Sequence, residues 1–191
     1  MMNASTNVLH AANVNSTLRE TAAAGAASLF IALLAQVTIP LPFTPVPFTL
    51  QTLGIYLAAA ALGPRLGALS VIAYLAEGAA GLPVFSAGAA GFFALLGPTG
   101  GYLLGFVPAA FVTGLFFSGG RTAGAVRSCA AFAAGAAVFY CAGLLQLSHF
   151  VPQSSVLKCG LIPFLPGEAV KIALAARAAP FARKFITKLT R

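Results

Sequence analysis

Charged side chains are so scarce in this chain that water cannot be the solvent for its fold. Only 7% of the 191 residues are Asp, Glu, Lys or Arg, while 59% are hydrophobic. Soluble domains are about a quarter charged, so the chain is read as a polytopic membrane protein. Within a bilayer every backbone polar group needs an internal partner, which leaves helices or closed barrels. A transmembrane barrel would show alternating segments of about ten residues, and the sequence has none. Ala and Gly dominate and Trp is absent, a mixture suited to helices that approach closely through small side chains. The expected fold is therefore all-α, an integral membrane bundle.

Apolar segments and their breakers set the number of helices. Residues 1–18 are polar and read as a loosely attached N-terminal tail. Arg19 to Ile39 is 21 residues long, enough at about 1.5 Å per residue to cross a hydrocarbon core of about 30 Å. Pro40, Pro42, Pro45 and Pro47 then forbid a helix and predict an extended, pre-ordered loop, a plausible lid. A second helix is expected over Phe48–Leu62, with Gln51 and Tyr56 as its main polar groups, stopped by Gly63-Pro64. A third runs from Leu66 to about Leu82 and contains Tyr74 and Glu77. The Gly-rich stretch from Pro83 to Gly101 reads as a long, partly re-entrant loop that lets backbone approach a ligand. Tyr102–Ser118, then a Gly119-Gly120-Arg121 turn, then about Ala123–Ser148 supply helices four and five. After a polar connector, 149–160, a sixth helix starts near Glu168. The bundle thus has six transmembrane helices over 19–183, followed by a basic tail, 184–191.

Six spans put both termini on one side. The loops and flanks of that side carry Arg19, Arg65, Arg121, Arg127, Arg177, Arg183, Lys184, Lys188 and Arg191, whereas the opposite loops carry only Lys158. The positive-inside rule places both termini in the cytoplasm. The proline-rich loop, the Gly-rich loop and the start of helix six then meet on the outer face. The net charge of +8 does not point to nucleic acid, because the basic residues flank apolar segments singly or gather at the C-terminus. Cys129, Cys141 and Cys159 are odd in number, which argues against a disulfide framework, and their spacing with His10 and His149 suits no metal. Neither a metal nor a cofactor is expected.

Within the apolar sixth segment, PFLPGEAVKIALAAR holds Glu168 and Lys171. Residues three apart share a helix face, so both heads reach one point. A charge at bilayer depth is costly, by about 2.5–3.5 kcal/mol on insertion scales, and marks a pathway or ligand site. A carboxylate in the first turn of a helix is partly offset by the dipole. The two residues are either a self-neutralising structural pair or the polar anchor for a small ligand. In helix one, Ala23 and Ala27 form a flat small-residue face, open to internal packing or to an external partner helix.

The runs IPLPFTPVPFTLQTLG, LGPRLGALSVIAYL, GLPVFSAG, LLGPTGGYLLGF and PFLPGEAVK resemble the biotin-transporter family called BioY, over roughly Leu18 to Arg183. Its members are substrate-binding S components of energy-coupling factor transporters. The resemblance implies capture of biotin from outside and delivery to the cytoplasm, together with a transmembrane scaffold subunit and two ATPases. It implies that Glu168 and Lys171 bind the ligand, Glu168 standing where the family more often has Asp. It also implies that Ala23 and Ala27 dock the scaffold. Biotin's ureido ring offers two N–H donors and one carbonyl, which a carboxylate and an ammonium can match. Gln51, Tyr74, Glu77, Phe43, Phe85 and Tyr102 complete the expected site, the aromatics as walls for the rings.

No nucleophile–base arrangement or paired-carboxylate motif is present, so the chain is not read as an enzyme. GPTGG lacks the Lys and the spacing of a phosphate loop, so ATP hydrolysis would have to come from partners. The competing function is a stand-alone facilitator or proton-linked carrier using Glu77 or Glu168 as the proton site.

Overall fold

The computed structural model describes residues 4–118 and 124–190, with side chains over 17–118 and 124–186. The Gly119–Arg121 turn therefore lies outside the described residues. Among the described residues the chain is helical apart from one small ladder and a few turns. In order it forms α1 (Ala4–Ala35), β1 (Thr38–Ile39), β2 (Phe48–Thr49), α2 (Gln51–Ala79), α3 (Phe93–Leu96), α4 (Gly100–Leu115), α5 (Ala125–Leu147), α6 (Val156–Gly160) and α7 (Leu165–Thr190). Four segments are long and apolar enough to cross a membrane: Thr17–Gln36, Gln51–Ala79, Ala125–Leu147 and Gln153–Ile186. The shorter Gly100–Leu115 is apolar as well.

The second and third expected helices are the two arms of α2. Gly63 adopts φ 79°, ψ −174°, a conformation open to Gly and strained for other residues, and Pro64 cannot donate to the turn before it. The arms fold back on each other. Gln51 Nε2 donates to Tyr74 Oη at 3.0 Å, joining residues twelve before and eleven after the bend. At Gly67 a Cβ would stand 2.8 Å from the Ala59 Cα, so only hydrogen lets the arms touch. α2 packs against α1, α4 and α7, and α5 covers α4. Tyr56, Tyr74, Phe85 and Phe132 fill the centre and are fully buried. Leu33, Leu69, Leu104, Leu145 and Val170 point outward from the helices and are exposed, the surface a helix bundle presents to lipid.

Boundaries moved where local chemistry overrode hydropathy. Phe48 and Thr49 lie in a strand, and Thr38 pairs with Thr49 and Ile39 with Phe48. The four prolines thus occupy a hairpin-like loop tied shut at its base, and α2 starts three residues later than expected. The Gly-rich stretch is less irregular than its composition predicts. It holds a turn at Ser86–Gly88, helix α3, and the first turn of α4, which opens at Gly100. Gln146 of α5 fixes this stretch, donating to the carbonyls of Leu95 (3.1 Å) and Gly97 (2.7 Å). The connector 149–160 also contains helical turns. α7 begins at Leu165, since a Pro at position 166 sits in a first turn that needs no N–H. α1 begins at Ala4 and α7 continues to Thr190, so the polar N-terminal segment and the basic C-terminal one are helical over these spans.

Candidate functional site

One pocket gathers the elements that the sequence placed on a common face. It spans about 650 Å³ of space, open solvent at its mouth included. The proline-rich loop contributes Val46 and Pro47, the N-terminal end of α2 contributes Gln51 and Thr52, and the Gly-rich stretch contributes Phe85, Ser86 and Thr99. Tyr102, Phe106, Phe139 and Tyr140 wall it from α4 and α5, and Glu168 and Lys171 enter from the first two turns of α7.

Glu168 and Lys171 form the polar floor. Their Oε2 and Nζ atoms are 2.6 Å apart, and the residues are 3% and 5% exposed. Lys171 spends all three N–H groups: on Glu168, on Thr52 Oγ1 at 2.7 Å and on the Thr49 carbonyl at 3.2 Å. Its ammonium also stands 4.9 Å from the centre of the Phe48 ring, an attractive cation–π placement. That ring rests on Gly167, where any side chain would collide with it. Glu168 Oε1 accepts from Tyr56 Oη at 2.6 Å, while Oε2 accepts weakly from Thr52 (3.4 Å) and Tyr140 (3.5 Å). Glu168 lies in the first turn of α7, where the helix dipole favours a negative charge.

Not every expected residue belongs here. Gln51, Phe85 and Tyr102 line the pocket. Tyr102 donates to the Gly160 carbonyl at 2.8 Å, pinning α6 to α4. Tyr74 is fully buried behind Gln51, with Phe85 edge-on to its ring at 5.5 Å, so it supports the wall rather than forming it. Phe43 is 59% exposed on the proline-rich loop and does not face the pocket. Glu77 is also elsewhere. Its Oε1 accepts from Ser28 of α1 at 2.8 Å, and its Oε2 is buried without a hydrogen-bond partner among the described residues. Glu77 thus ties α1 to the second arm of α2. Ala23 and Ala27 are only partly buried, and Ala27 packs on the bundle's own core. The exposed small residues one position back are Ala22 and Ala26, in line with Leu29 and Leu33. No cluster of three or more His, Cys, Asp and Glu residues occurs among the described residues.

Three residues that bond to Glu168 were not assigned to the site from sequence: Thr52, Tyr56, which was read only as a main polar group of its helix, and Tyr140. Thr52 and Tyr56 are four apart on one face of α2, a signal that pairs naturally with two charges three apart on another helix. Tyr140 sits in an apolar run, and nothing local marks it. Tyr56→Phe removes a 2.6 Å bond to a carboxylate, and such bonds contribute about 1.5–3 kcal/mol. The variant should stay folded and lose roughly ten- to a hundredfold in ligand affinity by calorimetry. Unchanged affinity would show that Glu168 needs no positioning.

The chain matches the BioY family model over residues 4–188. It is 37% identical to the biotin transporter BioY of Thermotoga maritima, covering 83% of this chain and 92% of that one. It is 40% identical to a probable biotin transporter BioY of Pyrococcus horikoshii over 78% of this chain and 88% of that one. Among solved structures it resembles the S-component for biotin from an ECF-type ABC transporter, with TM-score 0.79, 29% identity, and 89% and 93% of the two chains covered. These relatives are named for transport, not catalysis. With its helical bundle, its long apolar helices and its matching motif blocks in order, this chain belongs to the BioY family.

Proposed function

We propose that this protein captures biotin as the S component of an energy-coupling factor transporter in the cytoplasmic membrane. The observation that carries the reading is the buried Glu168–Lys171 pair exposed to an otherwise mainly apolar pocket. The family membership and the solved S-component for biotin support the ligand and the assembly.

The chemistry works through exchange. Glu168 Oε2 has two long contacts, from Thr52 and Tyr140, and Lys171 has one, to the Thr49 carbonyl. Ureido N–H groups can replace the former and the ureido carbonyl the latter. The 2.6 Å ion pair and the Tyr56 bond then stay in place, so no buried charge is left bare. Phe85, Tyr102, Phe106 and Phe139 offer apolar walls for the thiophane ring and tail.

Six crossings follow if the two arms of α2 each traverse the bilayer alongside α1, α4, α5 and α7. Both termini then lie in the cytoplasm, where Arg and Lys concentrate, and the pocket opens near the outer face. For the scaffold subunit the exposed line Ala22, Ala26, Leu29 and Leu33 suits docking better than Ala23 and Ala27, which turn partly inward. Two ATPase subunits would complete the transporter.

The test is direct. Purified protein should bind biotin one to one and ignore riboflavin and thiamine. Uptake of labelled biotin should require the scaffold and ATPases. Absence of biotin binding would remove the reading, and full uptake by this chain alone would favour the stand-alone carrier.

A further inference from the structure

We infer that the pocket recognises the ligand's tail through uncharged hydroxyl donors, so that it accepts biotin with a neutral amide tail nearly as well as the free acid. The inference rests on the proposed function for the identity of the ring.

Lys171 is the one cation lining the pocket among the described residues, and its three N–H groups are committed to Glu168, Thr52 and the Thr49 carbonyl. Once the ring is bound, at most the weakest of these is released, and it meets the ureido carbonyl at the floor. A carboxylate at the far end of a pentanoate tail has no ammonium or guanidinium left to pair with. Six hydroxyl side chains line the pocket: Thr49, Thr52, Ser86, Thr99, Tyr102 and Tyr140. Four are engaged. Thr49 accepts from the Gln51 amide, Tyr102 donates to Gly160, and Thr52 and Tyr140 stand at the floor against Glu168, beside the ring rather than the tail even where the ureido N–H groups displace them. The Ser86 and Thr99 hydroxyls have no hydrogen-bond partner among the described residues, and with Ala89 and Ala94 they belong to the pocket lining contributed by the Gly-rich stretch.

A hydroxyl can donate to a carboxylate oxygen or to an amide carbonyl, and it can accept from an amide N–H; the stronger, charge-assisted bond to the carboxylate is offset by the greater cost of taking that charge out of water. A cation discriminates between these tails far more than a hydroxyl does, because only a cation adds the attraction of two opposite charges in a largely dry pocket. The Gly-rich stretch also lines the pocket with Ala89 and Ala94, and part of the pocket volume is continuous with solvent, so a primary or substituted amide has room. The substrate class therefore extends from biotin to biotinyl amides.

Calorimetric titration of the full chain in detergent with biotin, biotinamide and a biotin analogue bearing methyl in place of the tail tests this. Biotinamide should bind within about tenfold of biotin. The double variant Ser86→Ala/Thr99→Ala should weaken biotin and biotinamide alike, by about ten- to thirtyfold, and leave the methyl analogue unchanged, which also shows that the variant is folded. Rejection of biotinamide by more than about a hundredfold, with biotin bound tightly, would overturn the inference while the proposed function stands. So would a double variant that binds both tails like the parent. If neither acid nor amide binds, the proposed function fails and takes this inference with it.

Discussion

Lys171→Ala is expected to weaken biotin binding by a thousandfold or more and to lower the thermal stability of the purified protein. Removing one partner of a buried pair leaves the other charge uncompensated, which costs about 3–5 kcal/mol, and the Lys171 and Glu168 heads are 2.6 Å apart and almost fully covered. A thousandfold loss corresponds to about 4 kcal/mol. Two effects are mixed in that number, because Glu168 also loses the donor that holds it toward the pocket. The double variant Glu168→Gln/Lys171→Met separates them. It removes both charges at similar volume, so stability should recover toward the parent value. Binding should not recover, since the ureido donors then meet a neutral amide and the ureido carbonyl meets a thioether. Calorimetry and a detergent melting curve on the three proteins decide the matter. Parent-like affinity in the double variant would mean that the pair is structural and that the ligand is gripped elsewhere.

The second large effect lies far from the pocket. Gly114→Ala should lower stability strongly, seen as a reduced melting temperature and poor yield, while the fraction that folds binds with parent affinity. A Cβ on Gly114 would run into the backbone of Gly63 and Pro64, the bend between the arms of α2. Backbone at a Gly-Pro corner cannot turn aside as a side-chain tip can, and overpacking of this kind costs about 1–3 kcal/mol or more. Thr52 and Tyr56 sit toward the opposite end of the first arm, Thr52 about 17 Å along the helix at 1.5 Å per residue. Strain at the corner therefore leaves the site geometry alone. A variant as stable as the parent would show that α4 does not hold the hairpin closed.

Much of the architecture was legible because bilayer chemistry is strict. Long apolar segments must be helices, Gly63-Pro64 must interrupt one, and Glu168 and Lys171, three apart in an apolar helix, must face something polar. Each of these is a local property of the chain. The β ladder at Thr38 and Thr49 was not legible, since strands of two residues carry no periodicity and exist only because the proline-rich loop returns on itself. The helical turns inside the Gly-rich stretch were hidden for a related reason: carbonyls of that stretch, at Leu95 and Gly97, are claimed by Gln146, which is 49 to 51 residues away.

The membership of the site divides along the same line. Glu168 and Lys171 announced themselves through the expense of charge in a membrane, and that expense is written into composition alone. Whether Phe43, Tyr74 or Glu77 joins them depends on which way a helix or loop is turned, and a single hydropathic pattern is compatible with several rotations. Packing chose. It turned Tyr74 behind Gln51, sent Glu77 to Ser28, left Phe43 outside, and brought Tyr56 and Tyr140 from two other helices onto one carboxylate. Charge scarcity in the chain determined that a buried polar centre exists, and the close approach of helices through glycine and alanine decided which hydroxyls surround it.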